Sequence, residues 1–225
     1  MRKIVVAIDG FSGCGKSSTA KTVAKELGYT YIDSGAMYRA ATLHFLNRMT
    51  VLTNPVEVEK SLDTLSIAFH PSEENGRQET FLNGLNVEEE IRSMRVSENV
   101  SEVSKIKEVR VELVAQQQKL GKKKGVVMDG RDIGTVVFPD AELKVFMTAD
   151  LLIRAERRQK ELLERGELVE LDKIANNLKE RDRIDSTRKE SPLLKANDAV
   201  EIDTSFMDFE DQVNQIVELA KKKIA

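Results

Sequence analysis

The chain has 225 residues, 40% of them hydrophobic and 32% charged, with 12 glycines, 4 prolines and a formal net charge of −3. That balance fits an ordered protein with a substantial core, and with a pI near 5.7 there is no basic excess of the kind a general nucleic-acid binder carries. A single cysteine and no apolar run near the roughly 18 residues of a membrane span exclude an internal disulfide framework and a spanning helix, and only two histidines weigh against a histidine-built metal site.

The apolar run at residues 3–8 predicts a buried strand. Lys16–Leu27 follows with Ala20, Val23, Ala24 and Leu27 at i, i+3, i+4, i+7, which predicts an amphipathic helix stopped by Gly28. Thr30–Asp33 reads as the second strand. Between residues 62 and 84, two strand-like runs joined through Pro71 and Asn75-Gly76, then an Asn83-Gly84 turn, predict a hairpin or meander. No Pro/Gly/Ser-rich linker flanks it, so it is expected to be a small antiparallel insert.

Helical sequence spans about residues 95–120, closed by Gly121 and a solvated lysine run at 122–124. Strands are expected at 125–128, 143–147 and 199–202, and Phe209–Ile224, with Val213, Ile216, Val217 and Ala220 on one face, closes the fold. The alternation predicts an α/β fold: a doubly wound parallel sheet with flanking helices. No surplus amphipathic helix asks for a partner, so the expected state is a monomer. The N-terminal "MRKIVVAIDG" has no small-residue cleavage site, and the expected location is the cytoplasm.

The sharpest local signal is "IDGFSGCGKSS", in which Gly10, Gly15, Lys16 and Ser17 satisfy G-x-x-x-x-G-K-[ST] between a strand and a helix. In that setting Gly10, Phe11, Ser12, Gly13, Cys14 and Gly15 form a loop whose N–H groups face an anion. Lys16 reaches the β- and γ-phosphates and Ser17, followed by Ser18, offers a hydroxyl to Mg²⁺. The expected ligand is a nucleoside triphosphate. Cys14 reads as a small filler residue.

A phosphate loop names a donor and not a reaction. The absence of N-K-x-D and D-x-x-G weighs against a GTPase switch. Asp129, after the apolar run 126–128, suits support of Mg²⁺, with a turn aspartate before Gly130 as the alternative. Arginines stand near acids in "DSGAMYRA", in "DGRDIG" and in "KERDRIDSTRKE". Taken singly, each pair favours the reading of a surface ion pair. Together with the phosphate loop they suit a phosphorylated acceptor, because arginine binds phosphate in bidentate fashion. A kinase of another small acceptor and a slow ATP-binding regulatory module remain open at this stage.

In their order, "DGFSGCGKSS", "DSGAMYRA", "DGRDIGTVVFPDA" and "KERDRIDSTR" resemble the bacterial cytidylate kinase family, nucleoside monophosphate kinases that make CDP and dCDP from CMP and dCMP. The resemblance covers about residues 3–224. It implies ATP and CMP or dCMP as substrates, Mg²⁺ as cofactor, and a single P-loop kinase domain, 1–225. Within that domain, 62–104 would be the monophosphate-binding insert and 149–188 a helical lid. It further implies that Arg39, Arg131 and Arg188 hold the acceptor phosphate and that Asp185 with Arg181 contacts the ribose. Ser34, Ser101, Arg110 and Asp132 would surround the cytosine, Tyr38 would be a further substrate-binding residue, Ser17 and Asp129 would serve the metal, and Arg157 on the lid would face ATP. Lys16, Arg131 and Arg188 would then carry the transfer.

Overall fold

The computed structural model describes residues 2–72 and 78–225. The predicted Asn75-Gly76 turn lies outside the described residues. In chain order the elements are β1 (Val5–Gly10), α1 (Lys16–Leu27), β2 (Thr30–Asp33), α2 (Ser34–Asn47), α3 (Pro55–Leu62), β3 (Ile67–Pro71), β4 (Gln78–Leu82) and β5 (Leu85–Asn86). A short 3₁₀ turn leads into α4 (Met94–Ser104) and α5 (Lys107–Gly121). Then come β6 (Val126–Gly130), a π-helical turn (Ile133–Val137), β7 (Leu143–Thr148), α6 (Leu151–Glu164), α7 (Leu171–Thr187), β8 (Val200–Asp203) and α8 (Phe209–Ile224). Contacts divide the chain into two compact units, Ser34–Gln116 and the remainder.

The larger unit is built on a five-stranded sheet in the order β2-β6-β1-β7-β8, with every neighbouring pair parallel. A strand buried on both faces must be apolar at consecutive positions, and Val5, Val6, Ala7 and Ile8 are all buried. Period-two alternation sends Ile4, Val6 and Ile8 to one side. There they join Leu143, Val145 and Met147 of β7 and the inner faces of α1 and α8, including Val23, Ile216 and Ala220. The α1 and α8 stripes read from the sequence are thus the ones that cover the sheet. All five predicted parallel strands are present, with ends shifted by a residue or two.

At the carboxyl end of the sheet the register aligns Asp33 with Asp129, Asp129 with Ile8, and Asp9 with both Gly130 and Phe146. Side chains that follow these strand ends converge there, the usual ligand crevice of a parallel sheet. Gly10 is required by close approach: a Cβ on it would lie 2.0 Å from the Met147 carbonyl oxygen, at a φ of +147°.

The smaller unit holds the antiparallel sheet, β3-β4-β5, a three-stranded meander. Its central helix α2 is apolar almost all round, as a helix buried on several sides must be. Met37, Tyr38, Ala41 and Phe45 pack into one cluster with Val100, Val109 and Leu113, while Ala36, Ala40 and Leu43 pack into another with Leu82, Val87 and Ile91.

The helical stretch expected across residues 95–120 is two helices, broken at Lys105-Ile106. Helix-terminal carbonyls need other donors, and here the Lys105 N–H turns back to Glu102 and the Arg110 guanidinium donates to the Ser104 carbonyl at 3.1 Å. A buried cation replaces a helical N–H, which periodicity alone does not report.

Candidate active site

The loop between β1 and α1 wraps the Lys16 side chain inside it. Lys16 is only 5% exposed, donates to the Phe11 carbonyl at 2.5 Å and lies 3.7 Å from the Cys14 sulfur. Burial pushes its ammonium pKa down, partly offset by the carboxylates Asp129 and Asp9. A phosphate anion in the loop would give this desolvated cation an anionic partner in place of the water it has lost. The Cys14 thiol donates to the Phe11 carbonyl at 3.0 Å, consistent with a filler role.

Ser17, in the first turn of α1, donates to Asp129 Oδ2 at 2.9 Å, and the Tyr31 hydroxyl of β2 donates to Asp129 Oδ1 at 2.8 Å. Burial raises the Asp129 carboxyl, the neighbouring Asp33 adds to the rise, and Lys16, Tyr31 and Ser17 oppose it. A hydroxyl and a buried carboxylate together are hard oxygen donors of the kind Mg²⁺ takes beside phosphates, the remaining ligands coming from nucleotide and water. These residues therefore fit the metal. Among the described residues there is no cluster of three or more His, Cys, Asp or Glu side chains that would hold a metal unaided.

The second charged group follows β6. Arg131 Nε donates to Asp185 Oδ2 at 2.9 Å, Arg188 stands 3.6 Å from Asp185 Oδ1 and 3.9 Å from Asp132 Oδ1, and all four side chains are largely buried. Arg181, Asp185 and Arg188 sit at i, i+4, i+7 at the end of α7, on one helix face. Burial by itself would raise the Asp185 carboxyl; Arg131, with Arg181 and Arg188, overrides it and holds the carboxyl below the usual carboxylate range. The result is a compact buried cluster in which Arg131 and Arg188 are paired with Asp185 and Asp132.

The lid-region arginines divide. Arg154 turns inward, donating to the Ser12 carbonyl at 3.1 Å and to Asp182 at 2.7 Å, with its guanidinium 5.3 Å above the Phe11 ring. Arg157 donates to the Thr204 carbonyl at 2.6 Å, and Thr204 in turn donates to the Cys14 carbonyl at 2.9 Å, so Arg157 is joined to the phosphate loop through one residue. Arg158 pairs with Glu161 on its own helix, while Lys160 and Arg165 are exposed, as is Ser18.

In the smaller unit, Ser34 and Tyr38 lie one turn apart on α2 and are buried. The Arg110 guanidinium of α5 stacks 5.3 Å from the Tyr38 ring centroid and donates to Ser104, which itself donates to the Ser101 carbonyl at 2.9 Å. Tyr38, Ser101 and Arg110 are thus brought together within this unit, and Arg39 is partly exposed.

Two residues escape the sequence reading, Asp9 and Tyr31, and a third, Arg154, is not singled out within its basic helix. Asp9 could have been suspected as an acid ending an apolar strand. Tyr31 gives no signal, because a tyrosine in a strand is ordinary core material. Arg154 shows only as one of several basic residues on a polar helix.

A five-stranded parallel sheet whose central strand β1 feeds a G-x-x-x-x-G-K-[ST] loop and whose neighbouring strand β6 carries a buried aspartate near its end defines a P-loop protein of the kinase type. The family model described as cytidylate kinase matches residues 6–222. A protein named cytidylate kinase from Cytophaga hutchinsonii is 56% identical over 224 residues, covering 100% of this chain and 96% of that protein. One of the same name from Parabacteroides distasonis is 51% identical over 227 residues, covering 100% and 99%. The chain belongs to the cytidylate kinase family. Among solved structures, an uncharacterized protein from Eubacterium ventriosum superposes with a TM-score of 0.52 at 13% identity, covering 98% of this chain and 99% of that one, a likeness of fold alone.

Proposed function

We propose that this protein transfers the γ-phosphoryl group of ATP to CMP or dCMP, giving ADP and CDP or dCDP. The observation that carries the reading is the buried set Arg131, Asp132, Asp185 and Arg188, set beside the phosphate loop by the pairing of β1 with β6. Two guanidinium groups there suit a monophosphate, and the depressed Asp185 carboxyl suits a ribose hydroxyl. On the resemblance to the family, Arg39 joins Arg131 and Arg188 at the phosphate and Arg181 joins Asp185 at the ribose. Ser34, Ser101, Arg110 and Asp132 take the base, with Tyr38 beside them as a further substrate-binding residue.

The acceptor phosphate is already anionic near neutral pH, so no general base is required. Transfer rests on holding donor and acceptor in line and on neutralising charge with Lys16, Arg131 and Arg188. Ser17 and Asp129 would hold Mg²⁺, which when bound neutralises phosphate charge at the donor. Gly10 to Ser18 cradle the triphosphate. The 62–104 segment acts as the monophosphate-binding insert, and 149–188 acts as the lid, excluding water that would otherwise accept the phosphoryl group. Arg157 belongs to the ATP side through Thr204.

Cytosine offers an amino donor where uracil offers a carbonyl. A carboxylate at Asp132 therefore suits the first and is left unpaired by the second, discriminating by roughly a few kcal/mol. The reading from the sequence is of a monomeric enzyme of the cytoplasm; no helix among the described residues is long and apolar enough to cross a membrane. The test is ADP release from Mg-ATP with CMP, dCMP, UMP, AMP, GMP and shikimate offered separately. Turnover confined to CMP and dCMP is expected; equal slow release with every acceptor and with none would leave only an ATP-binding protein.

A further inference from the structure

Asp9 is the last residue before the phosphate loop's first glycine, and its side chain meets the turn that follows β6. Its carboxylate is 4% exposed and accepts two backbone hydrogen bonds of 2.7 Å, from Ile133 N–H to Oδ1 and from Gly134 N–H to Oδ2. Those two amides open the π-helical turn that follows Arg131 and Asp132, and at the other end of the turn the Asp132 carbonyl accepts from Val136 at 2.9 Å. Gly134 is packed against this contact: a Cβ there would meet Lys144 Cδ at 3.1 Å and Asp9 Oδ2 at 3.3 Å.

We infer that Asp9 is a positioning residue for the acceptor: by clamping the Ile133 and Gly134 amides it fixes the turn that presents Arg131 and Asp132, and ties that turn to the strand carrying the phosphate loop. The inference rests on the reading that Arg131 and Asp132 meet the acceptor. Two amides on one carboxylate leave the turn a single orientation, since any rotation orphans a buried donor or an acceptor. Burial pushes the Asp9 carboxyl up to about 7, against the two amide bonds that favour its charged form, so the clamp is held at a cost that a purely structural apolar residue would not incur. β1 thus serves both substrates, its backbone leading into the donor loop and its last side chain setting the acceptor turn.

The test compares Michaelis constants for ATP and CMP in the full chain carrying Asp9→Asn, Gly134→Ala or Asp132→Ala. The asparagine keeps the shape but turns one acceptor oxygen into an NH₂ that opposes an N–H donor. It is expected to raise the CMP KM about tenfold or more while moving the ATP KM less than about twofold, and to speed amide exchange at Ile133 and Gly134. Gly134→Ala presses on the same carboxylate from the other side and should show the same split more weakly; if the asparagine variant does not fold, this variant decides. Equal changes in both constants, or a lower melting temperature with both constants unmoved, would overturn the inference. If Asp132→Ala raises the CMP KM and Asp9→Asn does not, the inference alone fails. If Asp132→Ala also leaves the CMP KM unchanged, the acceptor reading fails and the inference falls with it.

Discussion

The Tyr31 hydroxyl donates to Asp129 Oδ1 at 2.8 Å, joining a side chain of β2 to the carboxylate at the end of β6. The bond leaves Oδ2 to Ser17 and fixes the plane of the carboxylate. Partners of this kind orient a metal-binding group without touching the metal.

Tyr31→Phe should therefore leave the core packed while loosening Asp129. The Mg²⁺ concentration for half-maximal ATP binding is expected to rise severalfold, up to about tenfold. Titrating Mg²⁺ against fluorescent ATP-analogue binding reads this directly. An unchanged Mg²⁺ requirement would mean that Asp129 does not serve the metal or that Tyr31 does not orient it.

Lys16 is buried and, among the described residues, donates to the Phe11 carbonyl of its own loop. Lys16→Ala removes a desolvated cation whose burial is unfavourable until phosphate arrives, so the melting temperature should hold or rise slightly. Turnover should fall by about 10³-fold or more, the scale of losing a charge-stabilising group in a dry site. Retained activity would sink the loop assignment.

Asp185 carries the acid sensitivity of the acceptor cluster. Its folded pKa is depressed below the ordinary 3.8, so its pairing with Arg131 and Arg188 contributes fully above that ordinary value and is lost as pH falls through the folded value. Asp185→Asn should lower stability by about 3 kcal/mol near neutrality, because it leaves two buried guanidinium groups with one fewer carboxylate. In urea melts across pH, the gap between variant and wild type should be flat above the ordinary carboxylate range and narrow in more acid solution. A gap that widens on acidification would contradict the sign of the shift.

Gly10→Ala puts a Cβ 2.0 Å from the Met147 carbonyl oxygen in a backbone conformation L residues rarely adopt. Either β1 or β7 must move, so a destabilisation of about 3 kcal/mol or more is expected, with loss of ATP binding in whatever folds. A variant with wild-type melting and ATP affinity would show that the β1–β7 register has more freedom than this contact allows.

The sequence by itself determined the elements whose signals are local. The phosphate loop is contiguous, so its glycines, Lys16 and Ser17 could be read as a unit. The strand runs and the α1 and α8 stripes follow from burial periodicity over one turn or one pleat. The face of α7 was likewise implicit in the spacing of Arg181, Asp185 and Arg188, and the four quoted motifs carried the family. The break between α4 and α5 was not legible, because the buried Arg110 guanidinium that meets the Ser104 carbonyl makes no mark on apolar periodicity.

Only the tertiary structure decided which charges share a site. Asp9 meets Ile133 and Gly134 across 124 and 125 residues, Tyr31 meets Asp129 across 98, and Arg131 meets Asp185 across 54. It also separated Arg154 and Arg157, turned toward the phosphate loop, from the exposed Lys160 and Arg165 of the same basic segment. The physical reason is that hydrogen bonds and ion pairs are short-ranged and directional, whereas sequence patterns report only which face of an element is buried. Parallel strand pairing brings distant residues to one sheet end, and the identity of those neighbours is fixed by register.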